Sequence, residues 1–396
     1  MHCAKEVRLA VAFAALLLGA CDSGDEAENN LPPFSPPPTP AAGTLGDGRL
    51  PELVEWARST QNVPAMGAIV IHKGQVVERA VAGLRSVDSS VKVTVDDEWH
   101  IGSLTKSMTS TLAAMMVEDG LITWDTTALD VWPELDATID TAFRTVTLRQ
   151  LLAHTSGMKR DDGWDGAADT ASGTLVEKRR AWAARLLSEA PAFTPGNSSF
   201  SNVAYVVAGS MLETRAQGQW ETLLNTRIFA PLGMTHSGFG APGTRGALDQ
   251  PLGHNTFPTY FNAIEPGPGS DSVQALGPSG SVHVTLDDYA RYLQAHLAGE
   301  LGTSGILTSD SFRILHAPVE QAQNYAYGWQ KISSLSGLGV PAYGHNGTNQ
   351  RWFAVAWFAP DKNVGVLVVT NCGGDRGQEA MASLDAKLRE RINASP

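Results

Sequence analysis

Two β-rich patterns near opposite ends of the chain constrain its fold more than any other feature. Residues 67–72 and 76–82 are β-rich and flank His72-Lys73-Gly74-Gln75, which reads as a hairpin turn. Residues 351–358 and 364–370 flank Pro360-Asp361-Lys362-Asn363 in the same way, and a helical pattern follows over 376–392. Helical spacing fills the interval at 147–154, 178–190, 202–215 and 284–297, the last with Thr285 as N-cap and Asp287 and Asp288 in its first turn. Strands from both ends with helices between them predict an α/β (α+β) fold. Its antiparallel sheet is built from N- and C-terminal strands and flanked by helices, and a mostly helical subdomain accompanies it.

The first residues do not join that fold. Lys5 and Arg8 precede an apolar run over 9–20, shorter than the ~20 residues that span a bilayer. The run ends Leu18-Gly19-Ala20-Cys21, which resembles a bacterial lipoprotein lipobox. The resemblance implies cleavage before Cys21 and lipidation of that cysteine; an ordinary secretory signal with an incidental cysteine is the alternative. Residues 22–48 are acidic, then proline-rich, and read as a tether. The expected organisation is a signal peptide at 1–20, a linker at 21–48 and one domain at 49–396. Such a protein is anchored in the cell envelope by lipid and faces the periplasm or the extracellular side. Cys372 then remains as the one unmodified cysteine, a small residue at a strand end, and no intrachain disulfide is expected. A net charge of −12 with no basic block argues against nucleic acid. The ten histidines show no His-Glu-x-x-His or clustered ligand spacing, so neither metal nor other cofactor is expected.

Chemistry concentrates between Trp99 and Gly120. Apolar residues at Leu104, Met108, Leu112 and Met115 predict a helix with one buried stripe, closed by a left-handed cap at Gly120. Ser103 and Lys106 are three apart, which puts both on one face at the helix N-terminus, where free N–H groups favour developing negative charge. A lysine beside a serine is a base–nucleophile pair in outline. Ser-x-x-Lys occurs three times, at Ser89/Lys92, Ser103/Lys106 and Ser156/Lys159, and only the middle one opens a helix.

Five further segments join it in order. Thr94-Val95-Asp96-Asp97 precedes Ile101-Gly102-Ser103-Leu104-Thr105-Lys106; Leu148 to Gly157 follows, then Phe200-Ser201-Asn202, Gly277-Pro278-Ser279-Gly280 and Gly344-His345-Asn346-Gly347. Together they resemble the serine β-lactamase and penicillin-binding protein superfamily, nearest its class C-like branch of esterases, peptidases and β-lactamases. The resemblance spans residues 49–392. It implies a β-lactamase/transpeptidase-like fold and a serine hydrolase that forms an acyl-enzyme at Ser103 with Lys106 as base. It also implies an oxyanion hole from the backbone N–H groups of Ser103 and Thr348, and substrate contacts from Asn202, His345 and Gly347. His154 reads as structural. The implied substrate is a small-molecule or peptide ester or amide, such as a β-lactam, a D-amino-acid peptide or a carboxylic ester.

One position departs from the pattern. Relatives carry a tyrosine that relays protons where this chain has Phe200, and Tyr205 aligns with a packing aromatic. Three outcomes stay open: Lys106 acts alone, or Ser199, Ser201 or His345 supplies the missing group, or turnover is lost. The last gives a catalytically weak or inactive protein that binds peptidoglycan fragments or β-lactams.

Overall fold

The computed structural model describes residues 37–161 and 172–395. Helix α1 (Leu50–Thr60) leads into β1 (Ala65–His72) and β2 (Gln75–Gly83). Lys73 and Gly74 both take positive φ, 52° and 76°, the two-residue turn whose twist matches that of paired strands. The late strands are β3 (Gln330–Ile332), β4 (Ala342–Thr348), β5 (Phe353–Ala359) and β6 (Val364–Thr370), after which α6 (Gly374–Asn393) ends the described chain.

These six strands form one sheet in the order β2-β1-β6-β5-β4-β3, every neighbouring pair antiparallel. The first and last long strands are therefore central neighbours, with Met66 opposite Thr370 and His72 opposite Val364. Alternation of side chains divides the core in two. Met66, Ala68, Val70, Val366 and Val368 pack with α1 and α6, while Ile69, Ile71, Leu367 and Val369 face the helices between the two strand groups. Those helices include α2 (Thr105–Glu118), α3 (Leu175–Ser188), α4 (Asn202–Ala216) and α5 (Leu286–Glu300).

Helix α2 differs from its sequence pattern. A single apolar stripe is predicted, yet every residue from Thr105 to Met116 is buried. Pairing of most of its hydroxyls makes this tolerable, because a buried polar group is costly only when unpaired. Ser107 and Thr111 donate to the carbonyls of Leu104 and Ser107, and Thr109 donates to Pro278. Gly120 closes the helix at φ +72°, as its position predicts.

Of the linker expected over 21–48, residues 37–48 lie among the described residues. Residues 42–47 dock on the domain, because the buried Arg391 guanidinium, besides pairing with Glu78, donates to the Ala42 carbonyl (2.7 Å) and pairs with Asp47. Gly46 N–H donates to Glu78 (2.8 Å). No helix among the described residues is long and apolar enough to cross a membrane. Residues 1–20 and Cys21 lie outside them.

Candidate active site

Ser103 lies in a single 3-10 turn, Gly102–Leu104, immediately before α2, and Lys106 occupies the helix's first turn. The Lys106 side chain is fully buried. Its Nζ has three oxygen partners: Ser103 Oγ at 2.9 Å, Asn202 Oδ1 at 2.7 Å and the Ser279 carbonyl at 2.9 Å. Burial, which disfavours the ammonium form, brings its pKa from 10.5 down to about 7; Asp161 opposes that shift and Arg160 adds to it. In the neutral amine two N–H bonds serve Asn202 and Ser279, whose oxygens cannot donate. The lone pair is left facing the one partner that carries a proton, the Ser103 hydroxyl.

Asn202 opens α4, capped by Ser201, whose Oγ accepts from Ala204 N–H (3.0 Å) and donates to the Lys159 carbonyl (2.7 Å). Its amide bridges the site, since Oδ1 also accepts from Ser279 Oγ (3.0 Å) and Nδ2 donates to Asp161 (2.6 Å). Phe200 faces Lys106 with its ring centroid 5.2 Å from Nζ and packs at a tilt against His154, centroids 4.6 Å apart. His154 is buried at φ +60°, and its Nδ1 accepts from Ser201 N–H (3.2 Å). Tyr205 packs as expected, fully buried with its hydroxyl donating to the Leu152 carbonyl (2.6 Å).

Strand β4 runs against the Ser103 turn so closely that only glycines fit. A Cβ on Gly102, at φ +51°, would lie 2.4 Å from Thr348 N, and one on Gly347 would lie 2.7 Å from Ser103 N. The main-chain amides of Ser103 and Thr348 are thereby brought side by side. His345 shares Gly347's face of the strand, two residues or about 7 Å along. Its Nδ1 donates to the Asn346 carbonyl (2.5 Å) and its Nε2 accepts from the Tyr325 hydroxyl (3.2 Å). Burial first, then the charge of Lys106, lowers its pKa to about 4.

A longer tether fixes the same turn. Gly102 N–H donates to His100 Nδ1 (3.2 Å), which leaves Nε2 to donate to Asp271 (2.8 Å); Asn349, next to Thr348, also donates to Asp271 (2.9 Å). Asp271 and Asn349 line a cavity of about 830 Å³ together with Gly240, Ser270, Val273 and Gln350. The glycine- and proline-rich stretch at 239–276 thus forms much of a cavity wall beside the Ser103 turn.

The structure brings Ser103, Lys106, Asn202, Phe200, His345, Gly347 and Thr348 into one locality. The other two Ser-x-x-Lys pairs lie elsewhere: Ser89 is half-buried and Lys92 exposed in the segment after β2, and Lys159 pairs with Glu189 (2.6 Å). Cys372 is a buried thiol with its pKa raised to about 11 by burial. Sequence reasoning missed Asp161, Tyr325 and the His100–Asp271 pair. No local pattern marks them, because each acts across a contact distant in sequence.

The family model described as Beta-lactamase matches residues 50–389. Among curated proteins, "Penicillin-binding protein 4" of Amycolatopsis lactamdurans is 28% identical over 338 residues, covering 81% of this chain and 84% of that protein. Among solved structures, the octameric penicillin-binding protein homologue from Pyrococcus abyssi superposes with a TM-score of 0.68 at 22% identity, over 88% of this chain and 78% of that one. The D-amino acid amidase from Ochrobactrum anthropi SV3 gives 0.69 at 18% identity, over 88% and 97%. At these identities the two structures establish the fold, with the antiparallel sheet and flanking helices that the sequence predicts.

Proposed function

The chain belongs to the beta-lactamase family, a family of serine hydrolases, and on that premise we propose that it hydrolyses a small ester or amide through an acyl-enzyme on Ser103. The observation that carries this reading is the buried Lys106 amine 2.9 Å from Ser103 Oγ, with burial bringing its pKa down to about 7. Neutral Lys106 takes the Ser103 proton as Oγ attacks the carbonyl carbon. The oxyanion that forms is met by the N–H groups of Ser103 and Thr348, aimed in advance where charge develops. Collapse expels the leaving alcohol or amine with that proton, and water then releases the acid and restores Ser103. Asn202 holds the acyl-side amide or carbonyl, and His345 and Gly347 line the cleft. Attachment to the envelope membrane through Cys21 belongs to the same proposal and rests on the lipobox pattern alone.

Labelling tests the reading directly. Incubated with a fluorophosphonate or a labelled penicillin, the wild type is expected to carry an adduct on Ser103 by mass spectrometry, and Ser103→Ala to lose both adduct and turnover of a chromogenic ester. An unlabelled Ser103 would sink the proposal. A second reading, favoured by Phe200, is a binder that acylates without turnover; a stable adduct with no ester hydrolysis would select it.

The rate should also follow the protonation of Lys106. For an uncharged ester, kcat/KM is expected to rise with one proton lost, half-maximal near pH 7, and to stay level above that. A midpoint above pH 9 would mean that the amine keeps its solution value and is not the base.

A further inference from the structure

Phe200 leaves the site without the hydroxyl that its chemistry calls for, and the neighbours can be taken in turn. Ser201 is committed at both ends, capping α4 and donating to Lys159. The Tyr205 hydroxyl is sealed in the core against Leu152. His154 presents Nδ1 to the Ser201 amide and is enclosed by Phe200, Tyr205 and Tyr325. Tyr325 differs from these. Its side chain is half-buried, its hydroxyl donates to His345 Nε2 and also neighbours the Tyr205 hydroxyl, and burial holds its pKa well above the usual phenol range, so it passes a proton on only as it receives one. Its ring lies 4.6 Å from His154 on centroids, the same separation as that of Phe200. The segment that carries it is pressed onto the nucleophile helix: a Cβ on Gly328, at φ +80°, would lie 2.4 Å from Ser107 N and 2.7 Å from Lys106 C.

We propose that Tyr325 and His345 form a proton relay that takes over, in the release of the acyl group, the part that residue 200 cannot play. The relay rests on the reading of Ser103 as nucleophile. A water molecule held by Tyr325 Oη attacks the acyl carbon. As its oxygen bonds to carbon, its proton passes to Tyr325 Oη, and the Tyr325 proton passes to His345 Nε2. The bond from carbon to Ser103 Oγ then breaks, and the same proton returns through Tyr325 to Oγ. The acid leaves, and all three side chains regain their starting state. His345 can hold a proton during this step because Nδ1 keeps its own on the Asn346 carbonyl. The step is also timed. Burial is the larger cause that depresses His345 and persists throughout; the charge of Lys106 is the second, and it is gone once the leaving group has taken the Lys106 proton. The imidazole becomes a stronger base when deacylation needs one.

Four variants test the relay: Tyr325→Phe, Phe200→Tyr, the two combined, and Ser199→Ala. Acylation is read as the rate of fluorophosphonate labelling of Ser103, and deacylation as steady-state turnover of a chromogenic ester with trapped acyl-enzyme measured by mass spectrometry. Tyr325→Phe is expected to lower turnover on the order of 10²-fold, with acyl-enzyme accumulating and labelling changed less than about threefold. Adding Phe200→Tyr should restore most of the loss, because it returns a phenol beside Lys106; a purely structural role of Tyr325 would not be rescued from another position. Unchanged turnover in Tyr325→Phe, loss in Ser199→Ala instead, absence of rescue, or a wild type that acylates without turnover would each overturn the relay while leaving Ser103 as nucleophile. A wild type with no label on Ser103 would remove the underlying reading itself.

Discussion

Replacing Lys106 with methionine is expected to lower kcat/KM for an ester by about 10²- to 10⁴-fold, the usual effect of removing a general base, and to abolish the limb near pH 7. The fold should survive, because the methionine keeps most of the buried stem and brings no charge into a closed site. Asn202 Oδ1 retains Ser279 Oγ as a donor when Nζ is gone. Stability supplies an independent readout. The folded pKa of about 7 lies below the unfolded 10.5, so the native state binds fewer protons than the unfolded chain between those values. Wild-type stability therefore falls as pH drops from 10.5 to about 7 and levels off below. The variant has no such dependence, and urea titrations at pH 10 and pH 7 should show its stability relative to wild type improving toward pH 7. A variant that kept a tenth or more of the rate would assign proton abstraction to another group.

The two strand groups and the order of the motifs were legible because they rest on local signals. Continuous apolar, β-rich runs beside turn residues mark β1 and β6, and Gly120 marks the end of α2. Helix α2 itself was half-legible. Its serines and threonines read as a polar face, but the hydroxyls of Ser107, Thr109 and Thr111 turn back to carbonyls of their own helix and to Pro278, so the helix can be buried on every side. What could not be read was the set of contacts that joins distant segments. Lys106 finds Ser279 across 173 residues, and His100 finds Asp271 across 171. Asp161 meets Asn202 only because α4 starts beside it. Phe200 was recognised as a departure from the sequence alone, whereas its companion Tyr325 became visible only when β4 placed His345 under its hydroxyl. Residues 42–47 were assigned to the linker by composition, which carries no information about an arginine at 391 that reaches back to hold them.

The site's most restrictive demand falls on a residue with no side chain. Gly102→Ala is expected to lower kcat by about 10²- to 10³-fold, the effect of losing one oxyanion donor. Two costs act together. The backbone at φ +51° is a left-handed conformation that costs an alanine about 1–2 kcal/mol. The new methyl would also stand 2.4 Å from Thr348 N and 2.8 Å from Gly347 C, which are backbone atoms without a rotamer to change. The strand must retreat, and the Thr348 N–H retreats with it from the place where charge develops. A control separates the two costs. Gly120→Ala carries a comparable left-handed strain at φ +72° with no atom within 4 Å of the new Cβ, so it should lose stability in urea with kcat unchanged. If Gly102→Ala lost stability to a similar extent but kept its rate of Ser103 acylation, the amides of Ser103 and Thr348 would not be the pair that receives the oxyanion.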